Sequence, residues 1–402
     1  MEMISVEEAG KIILSQVRYF GTKIFPYEKA LGKILAEDLF ADRDLPPFNR
    51  ATVDGIAIKY NSYERGNRSF TIKTVQAAGQ IPVDVTSDSD CIEIMTGAAI
   101  DDSLDTVVRY EDITIKGEMA IINIDIKKGQ NIHFQGKDKQ KGEILVRKNQ
   151  TITPAIIGIA ASIGKTFLSV KENPKINIIS TGDEMISPEL VPSSFQLRQS
   201  NGITVQSVLN RYNIESDRLH LNDDFETLKK EILRCSVEYD VLIMTGGVSM
   251  GKFDYLPEIC QEIGFEKLFH KIKQRPGKPF WFGKSSDQKF IFAFPGNPVS
   301  VFLCLHRYFI PWLKQSLEIK STSPQWAVLQ HDFSFQPSLQ YFAQVKTEIN
   351  DDGLLTAKIF DTNGSGDFSH LAEANAFMEL PLEKNDFKAG EKYRIWLFNA
   401  NF

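Results

Sequence analysis

A chain of 402 residues, 42% apolar and 24% charged, reads as a soluble globular protein of several domains, with no 18-residue apolar run to span a membrane. A net charge of −6 without a long basic run argues against a nucleic-acid surface, but leaves room for an anionic small molecule. The four cysteines (Cys91, Cys235, Cys260, Cys304) form no CxxC pair, the six histidines no HExxH, and the N-terminus no secretory signal, so zinc and disulfide frameworks are not expected and a reducing cytoplasm fits.

Ser5 and Glu8 have capping-box spacing, and Val6, Ala9, Ile13 and Val17 follow a helical stripe. A second helix-like stretch over 27–36 runs towards Pro46-Pro47, which breaks helix. From 52 to about 132, short apolar runs alternate with turns and predict a small β-rich domain. A strand at 143–146 and a helix over 154–162, ended by Gly164, come next. From 175 to about 317 strands (176–180, 214–219, 241–244, 290–294) alternate with helices (201–212, 225–235, 255–263, 299–313). Asp223 or Asp224 caps the second of these helices. Such alternation predicts a doubly wound, mostly parallel α/β sheet. Ser321-Thr322-Ser323-Pro324 reads as a linker, and strands at 342–349, 354–359, 376–380 and 393–398 as a small all-β domain.

Four glycine-rich turns carry the chemistry: Ser180-Thr181-Gly182-Asp183-Glu184, Thr245-Gly246-Gly247-Val248-Ser249-Met250-Gly251, Pro276-Gly277-Lys278-Pro279 and Pro295-Gly296-Asn297-Pro298-Val299-Ser300. Turns at the carboxyl ends of parallel strands form the ligand crevice of an open α/β sheet, and glycine lets backbone N–H groups approach a phosphate. Residues 246–252 match G-x-x-x-x-G-K, but Phe253 stands where a nucleotide-hydrolase loop needs Ser or Thr for Mg²⁺. The better reading is a Gly-Gly turn presenting Ser249 and Asp254. Asp183 and Glu184 could hold hydrated Mg²⁺, or Asp183 could simply cap its turn. Lys278, fixed between two prolines, and Arg275 beside it are candidate partners for an oxyanion. Asn297 could cap the last helix or open an anion site.

Taken together, these segments resemble the molybdopterin molybdenumtransferase family (the MoeA and gephyrin E-domain group). They stand in the family's order, with Asp54-Gly55, Met95-Thr96-Gly97-Ala98 and Thr362-Asn363-Gly364-Ser365-Gly366-Asp367. The resemblance spans nearly the whole chain. It implies binding of adenylylated molybdopterin, insertion of molybdate at the dithiolate and release of AMP with Mg²⁺ assistance. It implies an elongated α/β multidomain fold: a discontinuous domain (1–46 plus 138–171), a β-rich domain (47–137), an α/β domain (172–320) and a C-terminal β domain (321–402). It also implies a homodimer with a shared active site, possible exchange with the adenylyltransferase and acceptor molybdoenzymes, and no nucleic-acid or membrane partner.

By motif, Asp54, Thr96, Asp138, Glu184, Asp224 and Asp254 are the expected acidic and polar site members, with Glu184 and Asp254 towards the metal. Arg275, Lys278, Asn297 and Ser300 are the expected anion binders. Gly246, Gly247, Ser249, Pro295 and Gly296 are expected to line the substrate. Asp54, Glu184, Asp254 and Lys278 are the expected catalytic set. The chain departs from the family in its first motif, where Asn49, Thr52, Val53 and Ile56 replace Asp, Ala, Met and Tyr, and Arg275 stands where lysine is frequent. A non-catalytic scaffold of the same fold and a molybdopterin adenylyltransferase are the alternatives. Retention of Glu184, Asp254 and Lys278 favours the enzyme over the first, and the flanking β-rich regions disfavour the second.

Overall fold

The computed structural model describes residues 3–248, 255–319, 323–362, 364 and 366–399. The chain divides into two compact units, one of Glu37–Lys148 with Pro154–Phe167, the other of Met1–Ala36, Asn149–Thr153 and Leu168–Phe402. Among the described residues no helix is long and apolar enough to cross a membrane.

The smaller unit is built on a six-stranded sheet, in the order Thr106–Arg109, Gly55–Ile58, Asp90–Ile94, Ser69–Gln76, Met119–Ile122, Ile113–Lys116. Successive side chains of a strand point to opposite faces, and here both faces are covered. Ile56, Ile58 and Val108 join one buried cluster, whereas Ala57 and Val107 join the other. The central strands are therefore apolar throughout rather than alternating. Gly55 begins one of them where no side chain fits. A Cβ there would stand 1.9 Å from the Val108 carbonyl oxygen, so only glycine lets the two backbones pair with Asp54 at the strand's mouth.

In the larger unit the first helix, Val6–Leu14, carries the expected capping box. Glu8 N–H donates to Ser5 Oγ at 3.1 Å and Ser5 N–H to Glu8 Oε2 at 2.8 Å. The helix expected over 27–36 does not form. Only one 3-10 turn, Tyr27–Lys29, is present, and the backbone beyond it bonds elsewhere: Leu35 N–H to Gln150 O and Ala36 N–H to Ser169 O. Long-range pairing has outcompeted local helical periodicity.

The α/β sheet of this unit has six strands: β1 Ile176–Thr181, β2 Ser216–Leu221, β3 Val241–Thr245, β4 Glu266–His270, β5 Trp281–Lys284 and β6 Phe290–Phe294. Their order is β2-β1-β3-β6-β5-β4. The first four are parallel, and β5 and β4 extend the sheet antiparallel. Helices α1 Asn201–Arg211, α2 Phe225–Glu238, α3 Leu256–Glu262 and α4 Pro298–Cys304 alternate with the strands. Ile178, Ile243 and Phe292 enter one buried cluster, and Ile179, Met244 and Ile291 the other. The helix expected over 299–313 continues past α4 through a wide π turn, Leu305–Phe309, into Ile310–Ser316. Pro311 has no N–H for the carbonyl one helical turn back, and the wide turn absorbs that loss.

The last segment closes a five-stranded ring. Gln340–Ile349 pairs with both Leu355–Ile359 and Ala376–Leu380, and Gln325–Leu329 and Lys392–Leu397 complete it. Gln274–Arg275, from the α/β domain, adds to this ring parallel to Gln340–Tyr341. Part of the expected linker, Ser321 and Thr322, lies outside the described residues.

Candidate functional site

The turns after β1, β3 and β6 converge with the start of α1 on a cavity of about 340 Å³. β1, β3 and β6 are parallel neighbours, so their carboxyl ends open on one side, where ligands of such sheets bind. Gly246 sits where β3 passes closest to β1. Its φ is +98°, and a Cβ would lie 2.9 Å from the Thr181 carbonyl oxygen. Gly247, Pro295 and Gly296 also line the cavity.

α1 points its N-terminus into the same space through Ser200, Asn201 and Gly202. The first N–H groups of an α-helix have no intrahelical acceptor and carry the positive end of its dipole, which suits an anion. Asn201, 7% exposed, donates its Nδ2 to Gly296 O at 2.6 Å and so ties α1 to the β6 turn. The motif reading passed over this helix start. Its signal was Ser200 just before an apolar-periodic run.

Among the described residues two carboxylates line the cavity, Glu184 and Asp223. Glu184 folds back over Gly182, its carboxylate within 2.7 Å of where a Cβ would stand there. Its own carbonyl accepts from Leu197 N–H at 2.8 Å. Asp223 N–H donates to Asp183 Oδ1 at 3.0 Å, which joins the turns after β1 and β2. Asp183 is thus a turn-fastening residue. The Thr181 hydroxyl, at the cavity wall, is buried with no hydrogen-bond partner among the described residues.

Asp224 does not line this cavity. It is the N-cap of α2 and accepts from Thr227 N–H at 2.9 Å. Hydrogen bonds from the Thr227 side chain and backbone hold its carboxyl below the ordinary range. The adjacent Asp223 takes the place at the cavity that the motif reading gave to Asp224. Ser249 and Asp254 lie outside the described residues.

The expected cations occupy a different region. Arg275 lines a second cavity, of about 310 Å³. Lys278 is exposed and its carbonyl accepts from Ile272 N–H at 2.9 Å. It lines neither cavity, and the same holds for Asn297 and Ser300. Asn297 is the N-cap of α4 without a side-chain capping bond, and Ser300 is buried.

The smaller unit carries its own polar set. Asp54 Oδ1 accepts from Thr96 N–H at 2.6 Å and from Thr96 Oγ1 at 2.7 Å. The hydroxyl bond, then the backbone bond, keeps the Asp54 carboxyl below its usual range. Asp138 Oδ1 lies 2.9 Å from His133 Nε2, and Arg50 Nη2 lies 3.2 Å from His133 Nδ1. Arg50 can only donate, so Nδ1 is the acceptor and Nε2–H points at Asp138. Pairing of Arg50–Ala51 with Ile132–His133 places Arg50 and His133 opposite each other. Gln135 N–H donates to Asn49 Oδ1 at 2.9 Å, so the Asn49 departure from the family motif still fastens its loop.

Comparison with known proteins decides the family. Three family models match in sequence order: the MoeA N-terminal region (domain I and II) over 4–164, the probable molybdopterin binding domain over 177–315, and the MoeA C-terminal region (domain IV) over 327–398. A molybdopterin molybdenumtransferase of Synechocystis sp. is 36% identical over 398 residues, covering 98% of this chain and 100% of that protein. The chain belongs to the molybdopterin molybdenumtransferase family. Another relative of that name, from Staphylococcus epidermidis, is 31% identical over 406 residues, covering 99% of this chain and 96% of its own. Two solved structures of the molybdopterin biosynthesis MoeA protein from Pyrococcus horikoshii match with TM-scores of 0.86 and 0.82, at 27% and 26% identity. Each covers 99% of this chain and 100% of its own. The chain is a transferase of this family with a role in molybdenum cofactor biosynthesis, and the doubly wound α/β domain flanked by β-rich segments is the family fold.

Proposed function

We propose that this chain inserts molybdate into adenylylated molybdopterin and releases AMP, the last step of molybdenum cofactor synthesis. The observation that carries this reading is the cavity at the ends of β1, β3 and β6, where a helix N-terminus and glycine turns meet two carboxylates. The N–H groups of α1 and of the Gly246-Gly247 turn bind phosphate oxygens. Glu184 orients the attacking oxygen, and Asp223 holds N–H donors of the pterin or the metal shell. Lys278 and Arg275 draw molybdate in and neutralise the leaving phosphate, as preset charges stabilise developing anions. Asp54, Thr96 and Asp138 are the polar contribution of the β-rich segment.

Mg²⁺ fits this donor set. No group of three or more His, Cys, Asp or Glu side chains is poised for a metal among the described residues, but Mg²⁺ keeps several waters and needs only one or two carboxylates beside substrate phosphates. Glu184 and Asp223 would hold it, with Asp254 outside the described residues, and bound there it would neutralise phosphate charge. We further propose the four-part division given above, whose borders before the α/β domain and before the C-terminal β domain the family models support, a homodimer in which a second copy completes the site, and a cytoplasmic location.

The test is incubation of purified protein with adenylylated molybdopterin, molybdate and Mg²⁺. AMP and active cofactor should appear together. AMP release with no molybdate dependence, or none at all, overturns the reading.

A further inference from the structure

The second cavity meets the glycine turn after β6 only at Val299, and its chemistry is different. Three half-buried rings stack beside it: Phe335 and Tyr341 with centroids 4.2 Å apart and planes at 13°, Phe333 and Tyr341 at 5.7 Å and 8°. The Arg275 guanidinium lies over Phe335, 5.7 Å from the ring centroid. This pairing is built in, because Arg275 and Tyr341 are register partners where Gln274–Arg275 adds to the closed ring of strands. Gln344, 4% exposed, forms part of the wall. Its Nε2 donates to Asp367 O at 3.4 Å, and its Oε1 has no partner among the described residues. A buried carbonyl oxygen without a donor is costly to leave so.

We propose that this cavity is a ring subsite: it takes a flat heteroaromatic ring bearing N–H donors and an attached phosphate. The ring extends the Phe335–Tyr341 stack, its N–H side faces Gln344 Oε1, and the phosphate lies beside Arg275. Stacked aromatics accept any flat base, and a guanidinium pairs with phosphate in a fork. A volume of about 310 Å³ is at the lower end for ligand sites, room for one ring and its phosphate rather than a whole dinucleotide-sized molecule. The two cavities are close along the chain. Gly296 lines the first and Val299 the second, so these residues stand no more than about 11 Å apart even fully extended. One substrate with two ring ends joined through phosphates can occupy both. Naming that substrate rests on the proposed function, since adenylylated molybdopterin carries both an adenine and a pterin.

The experiment measures equilibrium binding by calorimetry with AMP, with an unsubstituted pterin and with ribose 5-phosphate as the ringless control. Tyr341→Leu and Phe335→Leu should weaken AMP or the pterin about 10-fold or more, the scale of a lost base stack, and leave ribose 5-phosphate unchanged. Arg275→Ala should weaken AMP and ribose 5-phosphate alike. Loss confined to AMP assigns the subsite to the nucleotide base, and loss confined to the pterin assigns it to the pterin. On unmodified protein, AMP or the pterin should also slow phenylglyoxal modification of Arg275, a readout that does not depend on any variant folding. Ring compounds that bind both variants as tightly as the parent, or that fail to protect Arg275, overturn the proposal. Turnover enters none of these readouts. Failed molybdate insertion with Tyr341-dependent binding sinks only the proposed function, and the reverse outcome sinks only the subsite.

Discussion

Asp54 in the smaller unit and Glu184 in the larger one are both carboxylates beside a glycine turn, yet they are held differently. Asp54 is committed: Thr96 gives it two hydrogen bonds, and its ionised form is favoured by them. Glu184 lies over Gly182 at the lip of a cavity shaped by backbone turns and a helix start. The smaller unit thus presents polar groups fastened by side-chain bonds, as Arg50, His133 and Asp138 repeat. The larger unit presents backbone N–H groups and places the Glu184 and Asp223 carboxylates at the wall of its cavity. A charge that will be used in a reaction is best left unspent, whereas a charge that only positions is best locked.

That contrast can be broken at several points. The largest effect is expected at Glu184. Glu184→Gln should lower AMP release on the order of 100-fold or more, as for other preorganised charges, with the melting temperature unchanged. Near-normal turnover would make Glu184 a turn residue and erase the distinction from Asp54. Next comes Lys278→Ala, which should weaken molybdate or adenylylated substrate by about 10- to 150-fold while barely moving thermal stability. Unchanged affinity with a large fall in melting temperature would place the anion site elsewhere.

The adjacent aspartates sharpen the comparison within one turn. Asp223→Asn should raise KM for the adenylylated substrate about 10-fold or more and spare stability. Asp224→Ala should lower the melting temperature by a few degrees, through loss of the α2 cap, and spare KM. The opposite assignment of effects would restore Asp224 as the substrate contact. The smallest effect is expected from Thr96→Val. Asp54 has a folded-state carboxyl below its ordinary value, so its contribution to stability is present above the ordinary carboxylate range and is lost as pH falls through the lowered value. The parent should therefore melt slightly above Thr96→Val at pH 7, and the gap should close as the pH falls through the lowered Asp54 value. A gap that persists unchanged in acid would mean that Thr96 acts through packing and not through the Asp54 bond.

Much of this protein is written locally. The Ser5–Glu8 capping box spans only three residues, and the helix it announces is present. The β-α alternation of the larger unit needed only the period of its apolar residues, because the central strands β1, β3 and β6 are buried on both faces while helices such as α1 and α2 bury one. Glycine turns followed for the same reason, since a strand that must turn at the sheet edge needs residues without a Cβ. What local pattern could not decide is where distant backbone would intervene. Residues 27–36 have helical spacing, but hydrogen bonds to Gln150 and Ser169 claim their backbone. Asp223 and Asp224 are equivalent as letters. Only the end point of β2 and the reach of Asp183 settle that one caps α2 while the other meets the cavity. The second cavity depends on Arg275 pairing with Tyr341 across a strand register, a contact that no motif spans. Sequence by itself determined the family, the layered α/β core and the turns that can approach a phosphate, because periodicity, capping and glycine act over a few residues. Tertiary structure decided which polar groups face the same space, because that depends on register and strand ends set by packing across the whole unit.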